Sequence, residues 1–179
     1  TLLYFRRSDE EPITPENTNK PYGESPVSTA MGAYFNKKAY TDPTLRRKYT
    51  RMGFWVNIRL IRYPDVLLMA AESANEKGLM GEASGYLEQV RAHARGTLTN
   101  VLPKVESLDQ SVLREAIRHE RRVELGLEPD RFYDLVRWGI AQEVLQAAGK
   151  NYQPKNALLP LPQTEIDKSN GVLIQNPDY

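Results

Sequence analysis

The stretch "PDVLLMAAESANEKG" at residues 64–78, followed by "EASGYLEQVRAHARG" at residues 82–96, decides the fold of this chain. Each half carries apolar side chains at the i, i+3, i+4, i+7 spacing of one helix face. These positions are Leu67, Ala70, Ala71 and Ala74 in the first half, and Ala83, Tyr86, Leu87, Val90 and Ala94 in the second. Glycine ends both halves, and a short turn joins them. Two amphipathic helices joined in this way are expected to pack as an antiparallel hairpin.

Two further helices are predicted after the hairpin, whose length matches one tetratricopeptide-like unit. Ser107 and Gln110 have the spacing of a capping box at the start of a third helix, over about residues 108–125. A fourth helix begins near Asp130 and runs through Trp138, and helical sequence then continues to Gly149.

The remaining sequence predicts one mainly α domain in three segments. Residues 1–62 are a loop-rich segment in which short strands are expected at Leu2–Arg6 and Trp55–Leu60. Residues 63–149 form the helical core of antiparallel hairpins, and residues 150–179 form an extended, proline-punctuated tail. Because the chain opens in what looks like the middle of a strand, we expect it to be a fragment of a longer protein.

Composition excludes several classes of function. The 179 residues carry a net charge of +1, so no basic excess is available to attract nucleic acid. The absence of cysteine excludes thiolate catalysis and zinc–thiolate sites. His93 and His119 have no second ligand at a metal-binding spacing, so we expect neither a metal nor a cofactor. The longest apolar run, Val66–Ala71, is too short to span a membrane.

The third helix carries carboxylates inside its apolar stripe. Set on a helical wheel with Val112 at zero, Glu120 lies near about 80° and Glu124 near about 120°. The apolar side chains of the same arc are Val112, Leu113, Ala116, Ile117 and Val123. Two carboxylates can be buried side by side in one of three ways: one of them is protonated, a metal ion bridges them, or arginines neutralise both.

Arginine neutralisation is the resolution that the sequence favours. Arg131 lies near the apolar face of the fourth helix, and Asp134 and Arg137 flank it. Guanidinium groups pair with carboxylates in a bidentate manner and lower their pKa, which is the wrong direction for an acid catalyst. The alternative is a glycosidase that uses Glu120 and Glu124, although retaining glycosidases project their carboxylates into an open cleft.

Several stretches, in order along the chain, resemble the C-terminal region of the SusD/RagB family. This family comprises surface glycan-binding lipoproteins of Bacteroidetes-type nutrient uptake systems. The resemblance covers about residues 33–179, and the chain has Asp178 where the family ending has glycine. The stretches are "AYFNKKAY" (Ala33–Tyr40), "IRYPDVLLMAAESANEKG" (Ile61–Gly78), "AIRHERRVELGLEPDRFYDLVRWG" (Ala116–Gly139), "LLPLPQTEID" (Leu158–Asp167) and "QNPDY" (175–179).

The resemblance implies a mostly helical, non-catalytic protein on the extracellular face of the outer membrane. It implies a glycan ligand and a lid-like partnership with a SusC-like TonB-dependent transporter. Membrane attachment is expected only through an N-terminal lipid anchor absent from this chain. It also implies that six charged residues form a helix-pairing ion network: Glu120, Arg121, Glu124, Arg131, Asp134 and Arg137.

Sugar binding calls for exposed aromatic rings beside amides. Tyr22 in its loop, the nearby Asn19, and Tyr34 are the candidates for glycan contact in this chain. A different class remains open: the helix hairpin of residues 63–95 resembles a helical-repeat adaptor that presents a groove to another protein.

Overall fold

The computed structural model of the protein describes residues 2–4, 34–39, 57 and 59–179. Two compact units are present, residues 1–127 and residues 128–179. The boundary between them falls in the loop that follows the third predicted helix. The predicted three-segment division at residues 62 and 149 stays a prediction.

The helical part of the first unit is a hairpin with a third helix packed against it. Helix α1 spans Tyr63–Glu76, α2 spans Met80–Arg95 and α3 spans Gln110–Glu124. The three helices share one apolar core, so the predicted mainly helical fold with a hairpin is confirmed. The buried side chains of this core are Leu67, Leu68, Ala71, Ala74, Ala83, Leu87, Val90, Leu113 and Ile117.

The start of α3 differs from the prediction. The N-cap is Asp109, whose carboxylate accepts hydrogen bonds from the backbone N–H groups of Ser111 and Val112 at 2.9 and 3.0 Å. Ser107 lies before the helix, and its hydroxyl accepts a hydrogen bond from the Asp109 N–H instead. The predicted capping box at Ser107 and Gln110 was wrong because Asp109 stands nearer the free N–H groups and accepts two of them.

The buried face of α3 is rotated from the predicted arc. Val112 and Val123 are half exposed, whereas Glu120 and Arg121 are buried. The face is therefore centred near Ile117 rather than near the two valines. A wheel built on hydrophobicity alone misses a buried arginine, since it scores that residue as a surface group.

Two three-residue strands belong to the first unit. Strand β1, Leu2–Tyr4, pairs with β2, Tyr34–Asn36, in an antiparallel register that places Leu3 opposite Phe35. Strand β1 confirms the described part of the predicted strand Leu2–Arg6, whose last two residues lie outside the described residues, and a 3-10 helix, Lys37–Ala39, follows β2. Of the second predicted strand, Trp55–Leu60, the structure describes residues 57, 59 and 60, and none of these three is in a strand; the other three lie outside the described residues.

The second unit contains short helices around a small core. Helix α4 spans Asp130–Arg137 and α5 spans Ala141–Ala147. These two helices agree with the predicted fourth helix and with the helical sequence predicted after it. The tail was predicted to be extended, but it also contains a 3-10 helix, Pro154–Ala157, and helix α6, Gln163–Lys168. None of the helices in the described part of the chain combines the length and apolarity needed to cross a membrane.

Candidate functional site

The Glu120 carboxylate forms an ion pair with an arginine of the neighbouring helix. Arg91 on α2 donates from Nη1 to Oε2 of Glu120 over 2.6 Å, and the two side chains are only 11% and 4% exposed. Nη2 of Arg91 donates to the backbone oxygen of Pro103 at 2.9 Å. Glu120 therefore links α2 to α3 by a charge-assisted hydrogen bond in a nearly dry environment.

Glu124 forms an ion pair with Arg62, the residue that precedes α1. Arg62 places Nη1 at 2.9 Å from the Glu124 carboxylate, and its Nη2 donates to the Glu124 backbone oxygen at 3.0 Å. The Glu124 side chain is 23% exposed, so it is less buried than Glu120. A single guanidinium thus binds both the side chain and the main chain of the last residue of α3.

A third pair runs in the opposite sense, with the cation on α3. Arg121 donates from Nη1 to the carboxylate of Asp65 on α1 over 2.8 Å, and the two side chains are 4% and 11% exposed. Sequence reasoning missed Asp65, Arg62 and Arg91. The signal was available for two of them, because Arg62 and Asp65 both lie in the stretch "IRYPDV" that carries the family resemblance.

Charged residues of the second unit form contacts among themselves. Asp134 is buried and accepts hydrogen bonds at 3.0 and 2.8 Å from Arg137, three residues later on α4. The guanidinium groups of Arg131 and Arg137 lie 5.9 and 4.8 Å from the Trp138 ring centroid, within cation–π range. The predicted pairing of α4 with the carboxylates of α3 involves residues of both units and stays a prediction.

Two other carboxylates of the helix hairpin have a lowered pKa. On exposed faces of the hairpin, hydrogen bonds from Arg114 and Arg95 hold the pKa of Glu76 and of Glu88, respectively, below the ordinary value of a glutamate. That direction opposes general-acid chemistry. Within the described residues, no group of three histidine, aspartate or glutamate side chains is placed to hold a metal ion.

The end of the chain is held mostly by neutral groups, together with Lys155, whose Nζ donates to the backbone oxygen of Asp178 at 2.9 Å and lies 5.0 Å from the Tyr179 ring centroid. Gln175 exchanges two hydrogen bonds with the backbone of Leu161, at 2.8 and 2.9 Å. The Tyr179 hydroxyl donates to the backbone oxygen of Leu158 at 2.9 Å. The resembling stretches "LLPLPQTEID" and "QNPDY" therefore bind each other, which gives a physical reason for their occurring together. Asp178 has a φ of +66°, a conformation that favours glycine, the residue of the family ending.

The three predicted glycan-contacting residues are not brought together by the described structure. Tyr22 and Asn19 lie outside the described residues. Tyr34 is the first residue of β2, and only its backbone is described. A glycan site formed by these residues stays a prediction.

Comparison with known proteins places the chain in a family. The SusD family model matches residues 9–157, which begins earlier and ends earlier than the resemblance read from the motifs. Two proteins of Formosa agariphila are similar: SusD-like protein P25, 39% identical over 82% of this chain, and SusD-like protein P2, 36% identical over 66%. The matches span 27% and 25% of those two proteins, so this chain covers about a quarter of their length.

A solved structure shows the same fold. The crystal structure of a SusD homolog from Bacteroides thetaiotaomicron superposes with a TM-score of 0.61 at 29% identity. The match covers 75% of this chain and 30% of that one. The family model and the relatives together span most of the sequence, and the helical hairpins agree with the solved structure. This chain belongs to the SusD family.

Proposed function

We propose that the protein binds a glycan at the bacterial cell surface and delivers it to a SusC-like TonB-dependent transporter, without breaking or forming bonds. Membership of the SusD family is the observation that carries this proposal. The location is the extracellular face of the outer membrane, where such a transporter is found. Tyr22, Asn19 and Tyr34 are the proposed contacts to the sugar.

The ion pairs of α3 support the non-catalytic part of the proposal. Glu120 and Glu124 each bind a guanidinium group, from Arg91 and Arg62 respectively, so both carboxylates are engaged in holding α3 to its neighbours. A glycosidase needs one carboxyl group that keeps a proton to donate to the leaving oxygen. Two arginine-bound carboxylates on consecutive turns of one helix are poorly suited to that role.

The experiment is affinity electrophoresis of this chain in native gels that contain starch, xylan, laminarin or alginate. A glycan-binding protein runs more slowly in the gel that contains its polysaccharide, and bovine serum albumin provides the non-binding control. We expect retardation in at least one of the four gels. If the mobility of the chain relative to albumin is the same with and without each polysaccharide, that result would count against glycan binding by this chain.

The same polysaccharides test for catalysis. After overnight incubation with the chain, the number of reducing ends measures bond cleavage, and a commercial glycosidase provides the positive control. We expect no increase over buffer alone. An increase that Glu120→Gln abolishes in a folded protein would establish the glycosidase alternative.

One observation favours the second candidate, a helical-repeat adaptor. Tyr63, Val66 and Met69 recur at every third position of α1 and are exposed, and Ile61 just before the helix is exposed as well. An exposed apolar stripe of this kind suits a protein partner. A pull-down from outer-membrane extract, with this chain as the bait, separates the two candidates. Under the main proposal, the transporter is recovered and Tyr22→Ala weakens polysaccharide retardation. Under the adaptor reading, a partner binds through α1 and no polysaccharide retards the chain.

A further inference from the structure

The C-terminal end of α3 is bound by side chains from the end of β2 and from the 3-10 helix that follows it. Lys38 donates from Nζ to the backbone oxygens of Glu124 and of Gly126, the latter at 3.2 Å. Asn36, the last residue of β2, donates from Nδ2 to the backbone oxygen of Leu127 at 3.1 Å. Three backbone acceptors at the helix end are thus occupied by two side chains that lie about ninety positions earlier in the sequence.

These contacts suit the electrostatics of a helix end. The last carbonyl groups of a helix have no partner within the helix and carry the negative end of its dipole, so a lysine ammonium is favoured there. Leu127 adopts a φ of +67°, which turns the chain away from the helix axis directly after Gly126. The turn leaves the backbone oxygens of Gly126 and Leu127 available to the β2 segment.

Lys38 lies at the centre of this arrangement. Its side chain donates to the end of α3, and its own backbone oxygen accepts a hydrogen bond from the Arg59 guanidinium. Arg62 binds Glu124 beside it. The segment before α1 and the segment after β2 therefore meet at the same end of α3.

We infer that Lys38 is a positioning residue for glycan binding, which rests on the proposed function. Lys38 lies four positions after Tyr34, and β2 runs between them, so the contact with α3 fixes where this strand is held. Tyr34 pairs with Tyr4 of β1, which extends the anchoring to the first strand. The contribution of Tyr34 to glycan binding thus depends on the Lys38 ammonium, which acts through helix α3 and not through the sugar.

The experiment compares Lys38→Met, Lys38→Arg and Lys77→Met with the unsubstituted chain. Lys77 is an exposed lysine at the end of α1 and provides the matched control for loss of a surface charge. Two quantities are measured for each protein: hydrogen–deuterium exchange of the amides of residues 34–36, and retardation in the four polysaccharide gels. Exchange in α1 and α2 reports whether the helical core is intact.

We expect Lys38→Met to accelerate exchange in β2 by about tenfold, since charge-assisted hydrogen bonds are lost, and to weaken retardation. The rates in α1 and α2 stay unchanged. Lys38→Arg keeps a cation that can donate hydrogen bonds, so its exchange rate in β2 and its retardation should stay close to those of the unsubstituted chain. Lys77→Met should change neither quantity.

Two outcomes would overturn the inference while leaving glycan binding intact. The first is unchanged exchange in β2 of Lys38→Met, which would mean that the strand does not depend on this contact. The second is faster exchange with undiminished retardation, which would mean that β2 is positioned by Lys38 but does not serve the glycan site. Absence of retardation for the unsubstituted chain would instead overturn the proposed function, and the role in binding with it.

Discussion

Helix α3 and the C-terminal segment of residues 158–179 are both held by polar contacts, but the contacts differ in kind. Helix α3 uses charged side chains, and Arg121 reaches Asp65 from 56 positions away with both groups nearly buried. The C-terminal segment uses mostly neutral groups, and Gln175 binds the backbone of Leu161 from 14 positions away near the surface.

The difference predicts how each region responds to the loss of one partner. A buried charge that loses its partner retains its desolvation cost, so the whole helix packing is destabilised. A partly exposed amide or backbone group that loses its partner can bind water instead, so the effect stays local. The first region should therefore respond through global stability, and the second through local opening.

The largest expected effect comes from Arg121→Met. This substitution leaves the Asp65 carboxylate buried without the guanidinium and should lower the free energy of unfolding by about 3–5 kcal/mol. Urea denaturation monitored by circular dichroism measures it. Arg122→Met removes an exposed arginine from the next position of α3 and should cost less than about 0.5 kcal/mol. Equal destabilisation by the two substitutions would contradict the role given to the buried pair.

The second effect is local. Gln175→Ala removes both hydrogen bonds to Leu161 and should destabilise the C-terminal segment by about 1 kcal/mol. Amide exchange at Leu161 should accelerate, while exchange in α1 and α2 stays at the rate of the unsubstituted chain. Global unfolding caused by Gln175→Ala would remove the distinction between the two regions.

The third effect depends on pH and concerns an exposed ion pair. Because Arg114 holds the pKa of Glu76 below its ordinary value of 4.5, the stabilisation from this carboxylate is present at pH 7. It is lost as the pH falls below 4.5 and through the lowered folded-state pKa. The difference in unfolding free energy between the unsubstituted chain and Glu76→Gln should therefore be small at pH 7 and vanish in acid.

Denaturation at several pH values measures the difference for Glu76→Gln, with Glu82→Gln as an exposed control in the first turn of α2. The pair is largely solvent-exposed, so its effect should be well below that of Arg121→Met. A Glu76→Gln effect that grows as the pH falls would contradict the sign of this prediction.

The smallest effect tests backbone strain at the end of the chain. Asp178→Gly should stabilise the C-terminal segment by up to about 1 kcal/mol, because a φ of +66° is more accessible to glycine. Slower amide exchange in residues 158–161 measures the gain. Faster exchange there would mean that the aspartate side chain contributes more than its backbone conformation costs.

The helices could be predicted from sequence because their signals are local. The apolar spacing over residues 64–95 and the glycines after each helix define α1 and α2 without information from elsewhere in the chain. The start of α3 was misplaced because Ser107 and Asp109 are both good N-caps. Only the three-dimensional geometry shows which of their oxygens reaches the free N–H groups.

The ion pairs could be predicted in kind but not in detail. The wheel indicated that Glu120 would need a cation, since a charged group inside an apolar arc is costly to bury. The partner, Arg91, lies 29 positions earlier, and that separation gives no local signal. Arg121 was not assigned to the buried face because the sequence does not show that Asp65 faces it from α1. The contact of Lys38 with α3 was hidden for the same reason.

The measurement that tests the central claim most directly is made on Glu120→Gln. If this carboxylate is a structural anion held by Arg91, the substitution should lower the free energy of unfolding by about 2 kcal/mol, as for other charge-assisted hydrogen bonds. Retardation in the polysaccharide gels should be unchanged, and neither protein should release reducing ends. A variant of unchanged stability that has lost a hydrolytic activity of the unsubstituted chain would contradict the account.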